Sequence, residues 1–125
     1  MAEEPSGSLH DDLHTLFSAG RTGNLTDGQL LERFVTWRDP LAFEALVERH
    51  GAMVLRVCHA TLDDPHDAQD AFQATFLVLV KRAHSIRHRD SIASWLFGVA
   101  DRVSRRARVP SIRRRARERR GVDAD

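Results

Sequence analysis

Trp95, Gly98, Arg102 and Arg105 recur at spacings of three and four residues, with Arg106 flanking them. On a helix this spacing sets an aromatic ring, a patch of bare backbone and guanidinium groups in one row. Single-stranded nucleic acid needs that combination: a π-face on which a base stacks, cations for phosphates, and room for close approach. Lys81, Arg82, Arg87, His88 and Arg89 stand just upstream, and Ser94 adjoins the ring. The competing reading makes Trp95 a core residue that the arginines cover with their aliphatic stems.

A second set lies earlier. At about 100° per residue, Asp67, Asp70 and Gln73 fall on the arc opposite Phe72 and Phe76, and Leu77 falls between Asp70 and Gln73. An exposed aliphatic side chain ringed by hydrogen-bonding groups, with Val78 and Val80 near its margin, is the composition of a protein-binding surface. The plainer alternative is a solvated face whose acids sit near a helix N-terminus, where the macrodipole favours them.

Other reactive residue types lead nowhere. His10 and His14 have the i, i+4 spacing of the zinc-hydrolase pattern H-E-x-x-H, but Asp11 stands in place of the glutamate base and no third ligand follows. His50 lies in the apolar register of its segment, as a hydrogen-bonded core or boundary residue does, and the lone Cys58 reads as a small buried hydrophobe. There is no Gly-rich phosphate loop and no G-x-S-x-G. The expectation is a protein without catalysis, cofactor, metal or small-molecule substrate.

The elements that must position these residues are helices. Leu, Ala, Arg and Glu are abundant, Tyr is absent, and no alternating β-branched run occurs in the 125 residues. Residues 1–25 read as a weakly ordered leader with one short amphipathic stretch. Thr26, with Gln29 three places on, opens a helix to about Arg38. Asp39-Pro40 opens a second, to about Leu62, with Phe43, Leu46, Val47, His50, Val54 and Val57 on one face. Asp64-Pro65 opens a third, buried through Ala68, Phe72, Phe76, Leu79 and Ala83. His84 to Asp90 reads as a loop. A fourth helix, capped by Asp90 or Ser91, turns Ile92, Leu96, Val99, Ala100 and Val103 inward and should be interrupted or ended by Pro110. The expected fold is an all-α, compact three- to four-helix domain over 26–109, with an Arg-rich tail over 110–125.

Charge is divided along the chain. The net +1 combines −5 over the first hundred residues with +6 over the remainder, which holds ten arginines. A basic end on an acidic body points to a polyanion such as nucleic acid, or else to a solvated, disordered tail. The acidic start, Met1 to Glu4, is unlike a secretory signal, and the longest strongly apolar run, Phe76 to Val80, is too short for a bilayer. With a single cysteine there is no disulfide framework. A cytoplasmic protein without a membrane partner is expected.

Three segments, in order and in spacing, resemble the extracytoplasmic-function group of the sigma-70 family of bacterial transcription factors. Thr26 to Phe34 followed by Ala42 to His50 is similar to the family's opening helix pair. Asp67-Ala68-Gln69-Asp70-Ala71-Phe72-Gln73-Ala74-Thr75-Phe76-Leu77 resembles its D-A-E-D-x-x-Q-x-T-F-L pattern, with Gln69 in place of Glu. Ser94 to Ala100 is similar to the start of the helix that engages the melted −10 promoter element, although Asp101-Arg102 replaces the common Arg-Asn.

The resemblance covers roughly residues 25 to 110 and implies a sigma factor region 2 domain. Asp67, Asp70, Gln73 and Leu77 would then bind the β′ clamp helices of core RNA polymerase. The loop from Ile86 to Ser94, with Arg87, His88 and Arg89, would read a flipped base of the −10 strand, and Trp95, Arg102, Arg105 and Arg106 would hold DNA. An anti-sigma factor is a further possible partner. The fifteen residues after Pro110 are too few for the helix-turn-helix domain that reads the −35 element in the family. The expectation is a fragment, or a reduced factor in which Arg113 to Arg120 supplies nonspecific phosphate contacts. Two alternatives stay open: a truncated interaction protein that binds polymerase or an anti-sigma factor without initiating, and a small nonspecific nucleic-acid-binding module.

Overall fold

Each of the first three helices starts on a side chain that caps it. The computed structural model describes residues 23–87 and 91–124, with backbone alone at 110–112 and 121–124. Helix α1 (Asp27–Trp37) opens on a capping box: Thr26 Oγ1 accepts from the Gln29 N–H at 3.1 Å, and the Thr26 N–H donates to Gln29 Oε1 at 2.9 Å. Asp39 accepts from the Leu41 N–H at 3.0 Å before α2 (Pro40–Thr61), and Asp64 accepts from the His66 N–H at 2.8 Å before α3 (Pro65–Arg82). The prolines cost nothing there, because a first-turn N–H has no partner within the helix. A 3₁₀ turn, Ala83–Ser85, spans the end of the third helix as read and the start of the segment read as a loop, and α4 runs Ile92–Ala124. Among the described residues there is no strand, so the all-α expectation holds.

The sharp bend from α1 to α2 is made by Arg38, which takes the left-handed conformation at φ 53°. Its N–H donates to the Phe34 carbonyl at 2.9 Å and its guanidinium lies 4.8 Å from the centre of the Phe34 ring. Asp27, in the first turn of α1, is held by two residues of α2: Arg49 at 3.1 Å and His50 Nε2 at 2.9 Å. His50 is thus a hydrogen-bonded boundary residue, as its register suggests.

Helix α2 is central and touches α1, α3 and α4. The core is built from Leu30, Leu31, Leu46, Val54, Leu62, Leu79, Ile92 and Leu96, all essentially inaccessible. Phenylalanines link the helices edge to tilted edge: Phe34 to Phe43 at 5.2 Å, Phe43 to Phe76 at 6.4 Å, and Phe76 to Phe72 at 5.2 Å. The buried Thr75 hydroxyl donates to the Ala71 carbonyl one turn back at 2.8 Å. Ser104 is buried with no well-formed partner for its hydroxyl, and the weakly polar thiol of Cys58 is the group it meets. Burial pushes the Cys58 thiol up from its ordinary value, and the Ser104 contact opposes this only in part.

One expectation is corrected. Pro110 neither ends nor breaks the fourth helix, which continues to Ala124. Proline removes one N–H from the ladder and crowds the preceding turn, a local cost of about 3 kcal/mol. Two features oppose it. Arg113 to Arg120 is made of strong helix formers. Arg114 and Arg115 also reach the start of α3: Arg114 Nη2 to Asp67 Oδ2 at 2.8 Å and to Asp64 at 3.8 Å, and Arg115 to Asp63 at 3.3 Å. The hydrogen bond that Arg114 donates to Asp67, and then the charge of Asp67, raise the Arg114 pKa above the ordinary guanidinium value.

Among the described residues no helix is long and apolar enough to cross a membrane, and no three His, Cys, Asp or Glu side chains gather as metal ligands. His10 and His14 lie outside the described residues, as does most of the leader.

Leu79→Ala is expected to lower stability in urea denaturation by about 2–5 kcal/mol, the lost transfer energy plus a cavity at the α2, α3 and α4 junction. At about pH 8 a thiol-specific disulfide reagent should leave Cys58 untouched in the folded chain and label it fully in denaturant, because the buried thiol keeps its proton. By linkage, stability should then fall as pH rises through the ordinary thiol range, where the unfolded thiol ionises first.

Candidate functional site

The end of α3 and the start of α4 diverge around a groove of about 400 Å³. Val78, Lys81, Arg82 and Ser85 form one wall, and Trp95, Val99, Arg102, Val103 and Arg106 form the other. Valines make the floor, while four cations stand at the rim and have no carboxylate partner among the described residues. Trp95 packs partly on the core and partly lines the groove. Both readings of it are therefore right for different parts of the ring: the core holds it, and its remaining surface is offered to the groove.

The expected stripe is rotated by one position. Arg106, one turn beyond Arg102, lines the groove, whereas Arg105 is 74% exposed and its Nε donates to both carboxylate oxygens of Asp101, at 3.0 and 3.1 Å. Arg102 lies back over Gly98: a Cβ there would sit 3.4 Å from its Nη1. Ser94 is exposed beside the ring, and Arg87 is exposed beyond the 3₁₀ turn. His88 and Arg89 lie outside the described residues.

The four residues of the α3 face divide into two neighbourhoods. Gln73 and the 60% exposed Leu77 border a shallow apolar depression of about 300 Å³ completed by Val47, Phe72 and Phe76. Asp70 is exposed and joins Asp67, Ala71, Ala74, Val103, Ala107 and Arg114 around a second hollow of about 330 Å³. Asp67 is only 17% exposed and is held by Arg114. An apolar pit with polar residues beside it has the anatomy of a protein interface: an anchor site with a hydrogen-bonding rim.

Sequence reasoning assigned Val47 and Phe72 wholly to the core and did not place Val99 or Val103 in the groove. A helical wheel alone puts Arg106 within about 40° of Arg102 and within about 20° of Trp95, so that much was available. No local signal marks Arg114, whose partner Asp67 is 47 residues away.

The model of the Sigma-70 region 2 family matches residues 46–119. Neither the curated proteins nor the solved structures yielded a match to the chain. The family match begins inside α2, takes in the whole of α3 with its exposed face and both walls of the groove, and continues past Pro110 along α4. Carrying more than half of the sequence, it establishes that the chain belongs to the sigma-70 region 2 family.

Proposed function

We propose that the chain works as a sigma factor region 2 of the extracytoplasmic-function type, binding core RNA polymerase through α3 and holding the melted −10 strand in the groove between α3 and α4. The observation that carries this reading is the groove itself. Trp95 meets four cations that have no carboxylate partner among the described residues, and this occurs within the residues that the family model covers. Stacking of one base on an aromatic side chain is worth about 1–3 kcal/mol, enough to favour an unpaired base over its return to the duplex when phosphates are neutralised beside it. Lys81, Arg82, Arg102 and Arg106 supply that neutralisation. Arg87, His88, Arg89 and Ser94 would approach the flipped base from the connection into α4, and Arg105 would contact the backbone once released from Asp101.

On α3, Asp70, Gln73 and Leu77 present a carboxylate, an amide and an aliphatic group to the β′ clamp helices. The apolar pit beside Leu77 would take a side chain of that partner, or of an anti-sigma factor competing for the same face. Asp67 would contribute after exchanging Arg114 for a polymerase cation. Catalysis stays with the polymerase, which would place the chain in the cytoplasm.

Reversing the charge in Asp70→Lys, at an exposed helix position, should weaken capture of core polymerase at least about tenfold while leaving the fold intact. A pull-down with the purified chain checks this, and undiminished capture would sink the α3 assignment. Trp95→Ala should retain polymerase but lose permanganate-reactive thymines on a supercoiled promoter template, with partial rescue in Trp95→Phe. Full opening in Trp95→Ala would refute the role given to the ring. Polymerase binding without opening in the unsubstituted chain would instead mark a competitor.

A further inference from the structure

The arginines of α4 fall into two populations. Arg105, Arg114 and Arg115 are paired with Asp101, Asp67 and Asp63. The other seven are exposed and have no carboxylate partner among the described residues. Arg108 and Arg119 stand on the far side of the helix; because it is continuous through Pro110, Arg102, Arg106, Arg113, Arg117 and Arg120 keep a common register. At 3.6 residues per turn they fall within an arc of about 60° that also contains Trp95, and from Arg102 to Arg120 the row is about 27 Å long.

We propose that this row is a second nucleic-acid surface, a phosphate track for duplex DNA that begins at the groove and continues along α4 on Arg113, Arg117 and Arg120. It rests on the groove reading for the choice of DNA over another polyanion. Three features favour a duplex. No aromatic residue follows Phe97, so the track has no platform for unstacked bases. A rigid helix presenting cations at intervals matches the rigid phosphate line of a duplex better than a flexible strand. Between Arg113 and Arg120 the only apolar residue is Ala116, so an amphipathic face for a lipid surface is lacking there. The paired arginines serve a different end, fastening the far half of α4 to the start of α3.

The test uses the full chain and fluorescence anisotropy over a range of salt. Probes are a short mixed-sequence duplex and a single strand carrying a −10 element. The triple variant Arg113→Gln, Arg117→Gln, Arg120→Gln should bind the duplex about tenfold or more weakly near physiological salt. Its slope of log affinity against log salt should be shallower by about two to three, since each lost phosphate contact removes about 0.9. Its affinity for the single strand should change little. A charge-matched pair of doubles separates the track from net charge: Arg108→Gln, Arg119→Gln, on the far side of the helix, should keep the duplex slope of the unsubstituted chain, and Arg113→Gln, Arg117→Gln should lower it. Equal loss in both doubles would reduce the effect to net charge and overturn the track, as would an unchanged slope in the triple, or no duplex binding with binding to phosphatidylglycerol vesicles instead. If the duplex result holds while Trp95→Ala leaves single-strand binding intact, the track stands and the groove reading fails.

Discussion

The rotational setting of α4 is the constraint from which the surface of this protein follows. Ile92, Leu96, Val99 and Ala100 are buried against α2 and α3, and a helix with that face turned inward has no freedom to choose where the rest of its side chains emerge. Trp95 comes out at the margin of the buried face, partly against the core and partly toward the cleft beside α3, and the exposed Arg102 and Arg106 line that cleft. An aromatic ring held this way would lose little conformational entropy on stacking with a base, because packing has already ordered it. The core and the candidate interface are therefore two consequences of one packing decision.

The acids at the start of α3 serve several ends at once. Asp64 caps the helix, Asp67 accepts Arg114, and Asp63 accepts Arg115, so the positive end of the α3 dipole and the basic end of α4 are neutralised by the same short segment. Each surface pair is individually weak. Together they keep the far half of α4 alongside α3, and they sort the arginines of that helix into a structural set and an available set. The same arrangement places Asp67 between the structural clasp and the exposed Asp70 of the proposed polymerase face.

The two candidate faces share α3 and adjoin on it. Gln73 and Leu77 border the depression beside Val47, whereas Val78, Lys81 and Arg82 line the groove, with Lys81 one turn beyond Leu77. On the proposed reading, a protein partner and a nucleic-acid strand would approach adjoining faces of one helix, Leu77 and Gln73 on one and Val78 and Arg82 on the other.

Much of this was readable from the chain. The helix starts were legible because their signals are local: Thr26 with Gln29, Asp39 with Pro40 and Asp64 with Pro65 bond or preset backbone within three residues of themselves. The inward faces were legible because burial imposes a period of 3.6 on residue type. The exposed placement of Asp70, Gln73 and Leu77 followed from the same periodicity. Tertiary structure alone decided that α4 runs on through Pro110 and that Asp67 is held by Arg114, because both turn on pairs 47 and 52 residues apart. The wheel already sets Arg106 beside Trp95, but that this side of α4 borders a groove with α3 depends on how the two helices pack. Local sequence sets what a helix has to offer, but only packing between helices determines which charges find a partner and which remain available.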